Sequence, residues 1–170
     1  MRRCTFICAF VVAFALVTGS AVAGGNGATS VTFPVSFVMT SLTCPNLAPG
    51  TVLTGSGTEK STTVSHTKNG VTRIHNTSHA NGTATDQAGN TYVFNYSNDF
   101  TVENSAASPG VFSGMMNDHF SLAGNGPAHL NNGFQALITT DFSTFFTFDP
   151  RKSQGDPLDF ATGDAHCDPL

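Results

Sequence analysis

GTATDQAGNTYVFNYSNDFTV, residues Gly82 to Val102, is the stretch that decides the fold. In its second half Tyr92, Phe94, Tyr96, Phe100 and Val102 fall on one face, and Thr91, Asn95, Ser97, Asp99 and Thr101 on the other. A period of two with aromatic residues on one side marks a half-buried strand. Upstream, Asp86 takes the first position of a type I turn, and Gly89 supplies the left-handed residue that completes a three-residue hairpin loop. Pairing Asp86 with Asn90 then sets Ala84 opposite Tyr92, Gly82 opposite Phe94 and Ala80 opposite Tyr96. Small residues face large rings, an arrangement that a close-packed interior can fill. Sliding the pairing by one residue would bring Thr83, Asn81 and His79 to that face instead. Turn chemistry and side-chain sizes agree on the first register.

Working outward, Asn69-Gly70 is the strongest short hairpin signal, so Val71 to Thr85 pairs back on Val52 to Lys68. In that longer strand Gly55 and Gly57 allow a bend. With a two-residue turn Lys68 faces Val71 and His66 faces Arg73, which places His66, His75 and His79 on the outer face. Val31, Phe33, Val35, Phe37 and Met39 alternate as a strand after a loose lead-in, Gly24 to Ser30, and Pro34 assigns that strand to an edge or a bulge. After Val102 a polar loop, Glu103 to Gly110, leads into a strand over Val111 to Leu122. A turn at Gly124 to Pro127 gives a further strand over His129 to Phe142, with Phe134, Ala136, Ile138 and Phe142 on one face. Phe145, Phe146 and Phe148 form an apolar end, and Asp149 to Leu170 reads as an extended loop tied down at Cys167. No segment shows a helical period. Six or so strands joined by short connections make an all-β antiparallel meander. A meander of this size protects its edges by closing into a small β-barrel, lipocalin-like or allene-oxide-cyclase-like in outline, with a β-sandwich as the alternative.

The two ends of the chain set its compartment. Met1-Arg2-Arg3 is basic, Thr5 to Val17 is almost wholly apolar, and Ala21-Val22-Ala23 is a small-x-small cleavage site, so residues 1–23 read as a secretory signal peptide. Residues 24–170 then form one domain, secreted to the extracellular space, with no membrane span, since the apolar run falls short of the roughly 20 residues a span needs. Losing Arg2 and Arg3 makes the formal charge of −4 more negative, which disfavours nucleic acid and anionic membranes as partners. Cys4 and Cys8 leave with the leader, and Cys44 and Cys167 remain to form a disulfide in an oxidising compartment.

Candidate chemistry is sparse. His75 and His79 are four residues apart on one strand, roughly 13 Å, too far to share a metal ion. With a two-residue turn His66 and His75 are diagonal neighbours, whereas a three-residue turn, Lys68 to Gly70, puts His66 on the other face; solvated histidines on a sheet face are the better account. Asp156, Asp159, Asp164 and Asp168 lack the regular spacing of a calcium loop, so neither a metal nor another cofactor is expected. There is no nucleophile elbow, zinc-protease motif or phosphate loop, and no catalytic residues are assigned. Alternation turns Asn98, Asp118 and Thr140 inward, and an inward carboxylate must be hydrogen-bonded, neutral or at a mouth. The candidate ligand-binding residues are therefore Tyr92, Phe94, Tyr96, Phe100 and Asp118.

The hairpin pattern G-T-A-T-D-x-x-G-N-x-Y, here Gly82 to Tyr92, resembles one found in uncharacterised small secreted proteins, mostly bacterial, that share a leader and a cysteine near each end. The resemblance implies export and a barrel-like β fold, and it carries no established activity or site residues. The sequence thus leads to the expectation of a secreted binding or surface-interaction module for an apolar or aromatic small ligand or a surface partner. The alternatives are a small barrel enzyme of the isomerase or cyclase kind and a structural protein of the cell envelope.

Overall fold

The structure, a computed structural model, describes residues 27–155 and Cys167. The expected leader and most of the acidic tail lie outside the described residues. Seven strands follow in order: β1 (Gly27–Thr40), β2 (Val52–Lys68), β3 (Val71–Asp86), β4 (Thr91–Ser105), β5 (Ser108–Gly124), β6 (Leu130–Thr140) and β7 (Phe146–Gln154). All belong to one antiparallel sheet in which each strand pairs with its sequence neighbours. Among the described residues no helix is long and apolar enough to cross a membrane.

Local chemistry sets the register. Asp86 N–H donates to the Asn90 carbonyl at 3.1 Å and Gly89 N–H to the Asp86 carbonyl at 3.0 Å, with Gly89 at φ +85°, which closes the three-residue loop expected there. The Asp86 carboxylate fixes that loop, accepting from Ala88 N–H (2.9 Å), Asn90 N–H (2.9 Å), Asn90 Nδ2 (2.8 Å) and the Tyr92 hydroxyl (2.8 Å). Those bonds hold the Asp86 carboxyl below the usual carboxylate value, Asn90 contributing most, whereas burial and then Asp86 push the Tyr92 phenol up. Ala84 pairs with Tyr92, Gly82 with Phe94 and Ala80 with Tyr96, as the size pattern requires. On the other side Asn69 and Gly70 both take positive φ, 53° and 77°, and Lys68 pairs with Val71 and His66 with Arg73.

The sheet is strongly curled. β1 and β5 lie four strand spacings apart, about 19 Å across a flat sheet. Yet the Phe37 ring of β1 is 5.8 Å from the Phe120 ring of β5 and 5.2 Å from that of Phe94 on β4. Close approach under the rings permits this. A Cβ on Gly82 would lie 2.2 Å from the Ser56 carbonyl oxygen and 2.7 Å from the Phe94 ring, and one on Gly57 2.2 Å from the Asn81 carbonyl oxygen. The inner face therefore holds two apolar clusters. The larger contains Phe37, Met39, Leu53, Tyr92, Phe94, Phe120, Leu122 and Leu130 beside the Cys44–Cys167 disulfide. The smaller joins Ile74, Val102 and Ile138, with Phe100, Phe112, Met116 and Phe148 packed on it.

Several expectations are corrected. The expected all-β antiparallel meander is found, but among the described residues its ladders run from β1 to β7 and none joins β7 back to β1, so the sheet is not closed into a barrel, and a single sheet is not the pair of a sandwich. The last strand does not favour closure: it is nine residues long, Pro150 lacks an N–H, and the register shifts between Gln135 and Ala136. The outer edges are blunted by Pro34 on β1 and by Pro150, Arg151 and Lys152 on β7. Asp149 to Gln154, expected in the tail loop, belongs to β7, where Phe148 pairs with Ile138 and brings the following residues onto the sheet. The expected lead-in is shortened because β1 starts at Gly27, templated by the long β2 through Gly27–Ser65 pairing. The loop expected over Glu103 to Gly110 shrinks to Ala106 and Ala107 between β4 and β5. There a bulge at Asn104/Ser105 is held by the buried Asn104 side chain, which accepts from Thr72 N–H (2.7 Å) and donates to the Pro109 carbonyl (2.6 Å). Phe142, expected on a strand face, sits in the β6–β7 loop at φ 58°, an outlier for a bulky residue. The Asp141 carboxylate secures that loop by accepting from Thr144 Oγ1 and from the N–H groups of Ser143, Thr144 and Phe145.

Candidate functional site

Between the two apolar clusters one row of paired residues crosses the inner face: Val31, Ser61, Ser78, Asn98, Asp118, Phe134 and Ser153, one from each strand. Its centre is polar because the two hairpin turns set the register. The Asn69-Gly70 turn puts Ser61 opposite Ser78, and the Asp86–Gly89 loop puts Ser78 opposite Asn98. The short β4–β5 connection then brings Asp118 opposite Asn98.

Asp118 is 7% exposed, and its carboxylate is held on one side only. Asn98 Nδ2 donates to Oδ2 at 2.6 Å and the Tyr96 hydroxyl donates to the same oxygen at 2.9 Å. Oδ1 is buried without a hydrogen-bond partner. A buried acceptor in this condition costs about 1–3 kcal/mol relative to a satisfied one, and more when charged. On the β2–β3 side, Asn76 Nδ2 donates to Ser61 Oγ (3.0 Å) and Thr63 Oγ1 (2.8 Å), and Ser78 Oγ donates to Asn76 Oδ1 (3.4 Å). Glu59 lies one row nearer the larger cluster, sharing the inner face with its partners Phe33 and Ala80. The half-buried rings of Phe100 and Phe134 flank the belt, with Phe134 packed edge-on against Phe148 at 5.4 Å.

Of the candidate ligand-binding residues, Tyr96 and Asp118 are brought together by a direct hydrogen bond. Phe100 lies next to them in the pairing, opposite Met116 and packed on the smaller cluster. Tyr92 and Phe94 are not at the belt. Phe94 is 0% exposed, its ring 6.1 Å from that of Phe120, and the Tyr92 hydroxyl is engaged by Asp86. Thr140 is buried at the end of β6, donating to the Phe145 carbonyl at 2.9 Å. His66, His75 and His79 are exposed on the outer face. Sequence reasoning singled out neither Ser61, Thr63, Asn76 and Ser78 nor Glu59. The signal for the first four was the pair of hairpin turns, which together align inward hydroxyl and amide groups across three strands.

Among the described residues no group of three or more His, Cys, Asp or Glu side chains is placed to hold a metal ion. The polar side chains of the belt lie between the two apolar clusters, and Asp118 Oδ1 is the buried side-chain atom there that has no hydrogen-bond partner. Fold and site together define an all-β protein of one curled sheet with a polar belt across its inner face. No protein-family model matches the chain, and no curated protein or solved structure matches it.

Proposed function

We propose that this protein is an exported binding module, a single curled sheet whose inner belt takes a small ligand with an apolar or aromatic body and a polar head. The observation that carries this reading is the unpartnered Oδ1 of Asp118, buried on the inner face while Oδ2 is fixed by Tyr96 and Asn98. A ligand donor at Oδ1 would remove the penalty that the free protein bears. Export is supported by the basic-apolar-small leader, by the Cys44–Cys167 bridge, which suits an oxidising compartment, and by the hairpin resemblance to small secreted proteins. The reading is tested by a fragment screen on purified residues 24–170, followed by amide NMR. Hits are expected to move the signals of Asp118, Asn98 and Ser78. Hits that move only outer-face residues such as His75 and His79 would overturn it.

A second reading, proton-transfer catalysis at the same carboxylate, is favoured by its asymmetry: one oxygen is oriented by two donors and the other is left to accept a proton. Turnover of a screening hit that is lost in Asp118→Asn would move this reading ahead.

A further inference from the structure

Resting on the binding-module reading, we infer that the ligand head is an organic ammonium carrying at least one N–H, so that the protein is a receptor for small aromatic amines. Three observations converge on this chemistry. The first is charge: the residues that pairing places on the inner face include three carboxylates, Asp118, Glu59 and, at the end of β3, Asp86, whose oxygens are taken up by Ala88, Asn90 and Tyr92, and no Lys, Arg or His. The basic strand residues lie on the opposite face. Lys60, His79 and His119 share one outer row, His66 and Arg73 another, His75 pairs with Val64, and Lys152 pairs with Gln135. Arg151, at the β6–β7 register shift, is taken up by Asp149 at 2.7 Å.

The second observation is the unpartnered Asp118 Oδ1, more than nine-tenths buried with its residue. An alcohol would satisfy this atom with a hydrogen bond alone. An ammonium satisfies it with a charge-assisted bond and also compensates the buried negative charge, in surroundings where Coulomb terms are several times larger than in water. The third is the flanking rings. Phe134 is paired with Asp118, and Phe100 is one step along the neighbouring strand, each half-buried with ring surface left to meet a cation or an aromatic body. A carboxylate or phosphate head would instead meet Asp118 and Glu59 with like charge, which excludes acidic ligands by repulsion.

The test is calorimetric titration of residues 24–170 at pH 7 with four probes of one shape: 2-phenylethylamine, 2-phenylethanol, phenylacetate and the N,N,N-trimethyl derivative of the amine. The amine is expected to bind at least about tenfold more tightly than the alcohol, with the trimethyl derivative between them and phenylacetate weakest. Asp118→Asn should reduce amine affinity about tenfold or more and leave the alcohol within about twofold. Should that variant fold poorly, Glu59→Gln, at a partly exposed position, should weaken the amine about threefold and spare the alcohol. Equal affinity for amine and alcohol, or an amine affinity indifferent to both substitutions, overturns the ammonium assignment while leaving a binding site in place. If no probe binds up to about 10 mM, the binding-module reading itself fails.

Discussion

Tyr96→Phe removes the hydroxyl that reaches Asp118 and leaves the ring in place. The Tyr96 side chain is buried in the larger cluster, and its hydroxyl reaches Asp118 Oδ2 at 2.9 Å. Removing only the oxygen creates no sizeable cavity, so the cost is that of a hydrogen bond to a charged acceptor, about 1.5–3 kcal/mol. In a domain of this size that corresponds to a fall in melting temperature of very roughly 3–12 °C. Tyr96→Ala removes the ring as well and should cost about 4 kcal/mol or more. The converse substitution sharpens the argument. Replacing all three partners together, Tyr96→Phe with Asn98→Leu and Asp118→Leu, removes the buried carboxylate along with its donors and should lie within about 1 kcal/mol of the wild type. Urea unfolding at pH 7 followed by far-ultraviolet circular dichroism measures all three variants, because the sequence contains no tryptophan and tyrosine emission would itself be altered. A Tyr96→Phe protein within about 0.3 kcal/mol of wild type would refute the claim that the phenol donates to Asp118, and the belt geometry would have to be redrawn.

Replacing Cys44 and Cys167 together by Ser opens a loop spanning 123 residues and should lower stability by about 4–5 kcal/mol with the sheet signal retained, as equilibrium unfolding by circular dichroism will show. Gly82→Ala should destabilise by about 2 kcal/mol or more in the same assay, since its Cβ meets the Ser56 carbonyl, whereas Gly110→Ala, with no atom within 4 Å, serves as a near-neutral control. The Asp86 carboxyl is held below its unfolded value, so its contribution is fully present above about pH 4 and is lost as pH falls through the lower folded value. Asp86→Asn should therefore lie below wild type in melting temperature at pH 7, with the gap narrowing as pH falls below about 4, and a gap that does not narrow with falling pH would point to a cause other than ionisation.

The parts of the fold that were legible in the sequence are those decided within one hairpin. Asp86, Gly89 and the small residues opposite Tyr92, Phe94 and Tyr96 each constrain the same register, and of the two- and three-residue turns that Asn69-Gly70 allows the structure takes the two-residue one, so β2, β3 and β4 are readable almost residue by residue. Elements that depend on a distant template were not. Gly27 to Ser30 carries no strand signal of its own and becomes β1 only because β2 extends far enough to pair with it. Asp149-Pro150-Arg151 reads locally as a turn, yet it is drawn onto β6 after Phe148 has paired with Ile138. Whether the first and last strands meet depends on the sum of twist and curl over the whole sheet, which no local pattern reports. The site divides in the same way. Asp118 and Asn98 were marked by alternation as inward polar residues, but their meeting depended on a β4–β5 connection that is two residues long and not the eight its composition suggested.

The belt also explains why the core is divided. Phe94, Phe120 and Phe37 pack against one another above Gly57 and Gly82, and Ile74, Val102 and Ile138 form a second cluster further along the same strands. An apolar residue at either 98 or 118 would bring the clusters closer and add buried hydrocarbon, worth about 25 cal/mol per Å². The chain instead places an amide and a carboxylate there and spends donors from Asn98 and Tyr96 on one oxygen while leaving the other bare. Two oriented donors on Oδ2 do more than satisfy it. They fix the rotation of the carboxylate, so that Oδ1 presents one defined direction to the inner face. Stability alone does not require that direction, because an apolar pair would serve the fold as well. Recognition of a donor does require it, since an acceptor held in advance loses little conformational freedom when the bond forms. On the proposed binding reading, the satisfied half of Asp118 orients the half that a ligand donor would meet.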